Sequence, residues 1–275
     1  MINSSPIDIN ELKKECSLFK EDLNKNLTLK KGDTNLKIKI CGITSKEDLK
    51  AAENYGSDLI GFIHVKRSVR YIDIETIKSL SRILTDNNKG VLVLEPDNVE
   101  EALNDILNSN LRNIQLHSLL PGEINELIQS LFADEYEKEY HIVRAIGISQ
   151  DGLSLEKIKE IRSFAELCQG ILFDYQHQGK TGGTGREVSL KTAIKAAKIS
   201  RSFNPHLEIY LAGGLTASRI KKEGLLIKES FDFVDFNSGL EDFPGKKNHI
   251  KIKNAIETVK KDKIFMNFIK GDLID

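Results

Sequence analysis

Lys37-Ile38-Lys39-Ile40-Cys41-Gly42-Ile43-Thr44 is the stretch whose reading decides the fold. Side chains alternate across a strand, so Ile38 and Ile40 share one face while Lys37, Lys39 and Cys41 share the other. The alternation stops at Gly42, and Gly42 and Thr44 lead directly into a helical pattern carried by Leu49, Ala52 and Tyr55. This is the opening of a βα unit, with Cys41 at the carboxyl end of its strand. Parallel α/β folds place chemistry at that end, so Cys41 is a candidate reactive thiol; a small buried cysteine is the competing reading.

Outward from this stretch the same unit recurs. Strand-like runs at 37–41, 59–63, 90–94, 113–117, 141–146, 170–173, 208–211 and 233–236 alternate with helical stretches centred near 50, 79, 103, 126, 160, 195, 220 and 255. Val91-Leu92-Val93-Leu94 and Ile171-Leu172-Phe173 are apolar on both faces, as strands enclosed between helices and a barrel interior must be. Eight βα units within the chain predict a TIM (β/α)8 barrel over residues 36–275. A doubly wound sheet fits less well, because Cys-Gly-Ile-Thr after the first strand is not a dinucleotide-binding glycine turn.

Residues 1–35 precede the barrel as an extension. Ile9, Leu12, Cys16, Phe19 and Leu23 form a narrow apolar stripe, which predicts an amphipathic helix followed by a linker from Asn26 to Asn35 that contains Lys30-Lys31-Gly32-Asp33. Packing on the barrel and an oligomer contact are both open to such a helix, and the chain is expected to be a monomer or a homodimer.

Composition bounds the function classes. With 275 residues, 40% hydrophobic and 29% charged, and a formal net charge of −1, the chain has material for a large core and is not a globally basic nucleic-acid binder. Cys16, Cys41 and Cys168 are too few and too scattered for a disulfide framework or a metal knuckle, which points to a reducing cytoplasm. No apolar run is long enough to cross a bilayer, and the first residues lack the basic and apolar regions of a secretory signal.

Polar residues fall at the strand carboxyl ends, where a barrel builds its active site. Cys41 follows the first strand; His64 and Lys66-Arg67-Ser68-Val69-Arg70-Tyr71 follow the second; His117 follows the fourth and Asp174 the sixth. A glycine-rich loop at 179–185 comes next, long enough to fold over a ligand. Strands seven and eight end in Gly213-Gly214 and Asn237-Ser238-Gly239, whose small side chains leave backbone N–H groups able to converge on phosphate. Tight strand-to-helix packing is the alternative reason for those glycines.

The ordered set Lys-Ile-Cys-Gly-Ile-Thr, Gly61-Phe62-Ile63 with Ser68-x-Arg70-Tyr71, Gln115-Leu116-His117, Phe173-Asp174 with Gly182-Gly183-Thr184-Gly185, Leu211-Ala212-Gly213-Gly214-Leu215, and Ser238-Gly239-x-Glu241 with Pro244-Gly245 resembles the phosphoribosylanthranilate isomerase family. The resemblance covers about residues 37–262. It implies a cofactor-independent isomerase of tryptophan biosynthesis, performing the Amadori rearrangement of N-(5-phosphoribosyl)anthranilate to 1-(2-carboxyphenylamino)-1-deoxyribulose 5-phosphate. By that resemblance Cys41 is the general base and Asp174 the general acid, Arg70 holds the anthranilate carboxylate, and His117 and Asp235 line the site. Val69, Ser118, His64 and Asn237 depart from the family pattern, in which proline, glycine, an aromatic and serine are usual.

An acid that works near neutrality needs its pKa raised by burial, and a thiol base needs its pKa lowered by positive charge. Lys39, on the face of Cys41, is placed to supply that charge, or else to form an ion pair with Asp235 inside the barrel. The competing functions are a paralogous phosphosugar isomerase and a non-catalytic phosphometabolite-binding barrel. Presence of both Cys41 and Asp174 argues against the second, since binding alone requires neither.

Overall fold

The computed structural model describes residues 35–132, 139–150, 152–177, 180–181 and 187–271. The helix expected between Ile9 and Leu23, and Gly182 to Gly185 of the glycine-rich loop, lie outside the described residues.

Eight parallel strands close into a barrel: β1 (Lys37–Cys41), β2 (Leu59–His64), β3 (Gly90–Leu94), β4 (Asn113–Leu116), β5 (His141–Ile148), β6 (Gly170–His177), β7 (Glu208–Leu211) and β8 (Phe233–Phe236). Each pairs with its sequence neighbour, β1 pairs with β8, and no edge is left along the ring. The helices are α1 (Lys46–Tyr55), α2 (Ile74–Ser81), α3 (Val99–Ser109), α4 (Pro121–Phe132), α5 (Leu155–Ala165), α6 (Leu190–Phe203), α7 (Ala217–Ser230) and α8 (His249–Gly271). One helix follows each strand, as the sequence period requires.

The helix starts are written locally. Ser45, Asp73, Asn98, Ser154, Ser189 and Thr216 each accept a hydrogen bond from the backbone N–H three residues on. Each such cap stabilises its helix by about 1 kcal/mol. The barrel interior is filled from below by Val143, Ala145, Leu172, Tyr210 and Phe233, with the Tyr210 and Phe233 rings stacked 4.2 Å apart. This apolar plug leaves chemistry to the upper layers.

Two strands run further than their apolar runs suggest. β5 reaches Ile148 and β6 reaches His177, because Gly147 pairs with Asp174, Ile148 pairs with Tyr175, and a short arm, Lys180–Thr181, then folds back against Gln176 and His177. Asp174 is therefore held inside the sheet rather than in the loop after it. Its backbone is held by the β5–β6 ladder, which runs through Phe173, Asp174 and Tyr175.

Candidate active site

Register brings the charged residues together. Lys39 on β1 pairs in register with Asp235 on β8, and both point into the barrel. Lys39 Nζ donates to Asp235 Oδ2 at 2.7 Å and to Gln115 Oε1 at 2.9 Å, with 1% of the lysine exposed. The geometry thus supports the ion-pair reading of Lys39. Asp235 Oδ1 is buried and has no partner among the described residues. Gln115 Nε2 lies 2.8 Å from His117 Nε2. Since Gln115 spends its oxygen on Lys39, its amide N–H donates to the imidazole, and His117 carries its own proton on Nδ1.

Cys41 and Asp174 stand above this floor, one layer up on β1 and β6. Both feel Lys39 and Asp235 electrostatically. Burial pushes the Asp174 carboxyl up to about 6, against the lowering effect of the Tyr175 N–H, which donates to Oδ1 at 2.7 Å. A carboxylic acid is thereby available close to neutrality. Burial also pushes the Cys41 thiol up, and it outweighs Lys39 and Lys247, which pull it down. Lys39 thus does both things left open by the sequence, pairing with Asp235 and pulling the thiol down by its charge and a hydrogen bond, but dehydration of a thiolate dominates, so the net shift is upward rather than the lowering a thiol base needs. His117 is only partly enclosed at the barrel mouth, yet its surroundings, first by burial and then through Arg144, Lys39 and Arg67, push its pKa down to about 3. It is neutral at physiological pH.

Arg70 is buried, not a solvated surface charge. Its Nε and Nη2 donate to the two oxygens of Glu241, both at 2.7 Å. Glu241 takes the side edge of the guanidinium; the end edge, formed by Nη1 and the second hydrogen of Nη2, is the one a carboxylate ligand would use. Arg67 pairs instead with Glu95 on the outside, and Lys66 is 80% exposed.

Gly213 and Gly214 have φ of +83° and +64°, values that favour glycine, and no described residue accepts a hydrogen bond from their N–H groups. Arg219 Nη1 donates to Gly213 O at 2.7 Å and fixes that peptide. A Cβ at Gly214 would lie 2.9 Å from Glu187 Cα, and one at Gly239 would collide with Leu215 O. Close packing therefore requires both glycines whatever they bind. Ser238 and Gly239 begin a 3-10 turn, Ser238–Leu240, at the end of β8.

Three functional neighbours were not assigned roles from sequence: Gln115, Glu241 and Lys247. The first two lie inside motifs, but their partners are on other strands. Lys247 follows a Pro-Gly turn and looks like a surface lysine in sequence, while its side chain is fully buried. Among the described residues no group of three or more His, Cys, Asp and Glu side chains is arranged to hold a metal.

Residues 38–258 match the family model described as N-(5'phosphoribosyl)anthranilate (PRA) isomerase. The chain belongs to the phosphoribosylanthranilate isomerase family. It is an isomerase of tryptophan biosynthesis by that membership. The N-(5'-phosphoribosyl)anthranilate isomerase of Methanothermobacter marburgensis is 34% identical over 225 residues, covering 81% of this chain and 95% of the relative. The Thermotoga maritima phosphoribosyl anthranilate isomerase structure superposes with a TM-score of 0.65 at 26% identity, covering 82% and 99% of the two chains. A further isomerase structure, at 24% identity and a TM-score of 0.64, covers the same shares and was solved with reduced 1-(o-carboxyphenylamino)-1-deoxyribulose 5-phosphate.

Within the family frame, the departures have local partners. His64 Nδ1 lies 2.9 Å from Ile72 O and its ring packs 5.1 Å from Tyr71, so it pins the loop after β2. Ser118 Oγ donates to Pro96 O, and Asn237 accepts from Lys247. Val69 is 71% exposed, where loss of a proline removes no packing.

Proposed function

We propose that this isomerase performs the Amadori rearrangement of N-(5-phosphoribosyl)anthranilate with Asp174 as general acid and Cys41 as general base. Asp174 protonates the furanose oxygen, the ring opens, and the nitrogen takes up the positive charge of an iminium. Cys41 then removes the proton from the adjacent carbon, and the resulting enol relaxes to the ketose. The redox change is internal to the substrate, so no external cofactor enters the balance. Asp235, paired with Lys39, lines the site; the end edge of Arg70 is suited to the ring carboxylate. His117, held neutral, lines the aromatic portion. The N–H groups of Gly213, Gly214, Ser238 and Gly239 receive the phosphate.

The observation that carries this reading is the acid itself: a carboxyl with its pKa raised to about 6, fixed within β6 and sharing a charged floor with a thiol on β1. Proton transfer gives a use to both groups. A barrel using two carboxylates for the same rearrangement would not need the thiol. The test is turnover: the purified protein should convert N-(5-phosphoribosyl)anthranilate with loss of its fluorescence, and Cys41→Ala and Asp174→Asn should each lower kcat by on the order of 10²–10⁴. Near-normal turnover in either variant removes that residue from the chemistry.

A further inference from the structure

Lys247 has no counterpart in the chemistry above, yet few side chains are more completely enclosed. Its Nζ donates to Asn237 O at 3.1 Å, Asn237 Oδ1 at 2.9 Å and Glu241 Oε1 at 2.9 Å. Three partners for three N–H bonds fix the ammonium in place, which suits a point charge and not a nucleophile. The backbone holds it from behind, because Lys247 pairs antiparallel with Glu241 and its N–H donates to Asp48, a fully buried residue of α1.

Glu241 is shared. Its Oε1 accepts from both Arg70 Nε and Lys247 Nζ, and its Oε2 from Arg70 Nη2. Two buried cations thus face one buried carboxylate, a formal charge of +1 over three members that are 8% exposed or less, while the Asp48 carboxylate behind them is taken up by Lys246 and His249. An excess charge in that setting is costly until an anion joins it. The surplus lies beside the proposed reaction centre: a Cβ on Gly42, the residue after Cys41, would meet Asn237 Oδ1 at 2.7 Å and Arg70 Cδ at 2.8 Å. Lys247 accordingly also acts on Cys41, pulling its thiol down against burial.

We propose that Lys247 is a positioning residue for the substrate's ring carboxylate: by sharing Glu241 it orients Arg70 and maintains the positive excess that only a carboxylate-bearing arylamine neutralises. Selection for the acid over a neutral arylamine then depends on a residue that does not touch the substrate. The inference rests on the reading of Arg70 given under the proposed function and adds Lys247 and Glu241 to it.

Calorimetric binding of two compounds tests it: the product analogue reduced 1-(2-carboxyphenylamino)-1-deoxyribulose 5-phosphate, and the same reduced compound without the carboxylate. The wild-type protein should prefer the first. Lys247→Met should weaken binding of the carboxylate compound at least about tenfold while leaving the other within about twofold, and Lys247→Arg should restore part of the preference. Lys247→Gln removes the charge while keeping N–H donors on a side chain one bond shorter, and should behave as Lys247→Met. An unchanged preference, or an equal penalty on both compounds, overturns the proposal; so does failure of both charge-removing variants to fold, which would assign Lys247 to stability. If the wild-type protein neither binds the analogue nor turns over N-(5-phosphoribosyl)anthranilate, the proposed function itself fails.

Discussion

The thiol of Cys41 occupies the space that a side chain at Gly61 would need. The two residues are paired in register on β1 and β2, and a Cβ at Gly61 would lie 2.7 Å from Cys41 Sγ and 3.1 Å from Cys41 Cα. Gly61→Ala should therefore displace the thiol while leaving both anion sites intact. Because the crowding includes backbone, the fold should lose about 1–3 kcal/mol as well. Steady-state kinetics should show kcat lowered at least about tenfold with KM within a few-fold, the pattern of a misplaced catalytic group. An unaffected kcat would mean that the thiol has no required position.

The pH profile follows from the order of the two pKa values. The reactive pair is thiolate with carboxylic acid, but Asp174 titrates at about 6 and Cys41 above the usual thiol range. Between those values one proton is shared and rests mostly on sulfur, so the reactive arrangement is a minor but constant fraction. kcat/KM should rise through about pH 6 and fall only where thiols ordinarily ionise or above. A fall beginning near pH 6 would show a thiol depressed below the acid.

Asp174 should also destabilise the fold when ionised. Its folded pKa is raised, so the folded state binds more protons than the unfolded one between the two pKa values, and stability drops as pH rises from about 4 to about 6. Asp174→Asn removes that penalty, on the order of 1–3 kcal/mol, and still leaves an oxygen to accept the Tyr175 N–H. Thermal denaturation should give the variant a higher Tm than wild type at pH 8 and no advantage at pH 4. Equal Tm values at pH 8 would contradict the raised pKa.

His117 should keep one protonation state across the working range. With a pKa near 3 and Gln115 donating to Nε2, it should be neutral and protonated on Nδ1 down to about pH 4. Nitrogen NMR of the imidazole reads this directly. Titration of that ring between about pH 5 and 8 would contradict the lowered pKa, and a proton found on Nε2 would show that Gln115 is turned the other way.

For the extension, a chain beginning at Leu36 should retain kcat, since every residue given a chemical role lies downstream. Turnover of the shortened and full chains on N-(5-phosphoribosyl)anthranilate checks this, and a large loss in a folded protein would put the extension in the site.

The βα period and the residues at strand ends were legible because both are local: the alternation of Ile38 and Ile40, the glycine that stops it, and the caps that start each helix depend on neighbours a few positions away. Cys41, Asp174, Arg70 and the glycines of β7 and β8 could be placed at one end of a barrel from the sequence, and the family motifs fixed their order. Their charge states could not. That Lys39 pairs with Asp235 as well as acting on the thiol is decided by the register of β1 against β8, residues 196 positions apart. The Glu241 bridge between Arg70 and Lys247 likewise depends on a hairpin packed against α1. Burial settles the rest: the price of dehydrating a charge varies with everything packed around it, so the same closure that raises Asp174 into the range of a useful acid also keeps the proton on Cys41.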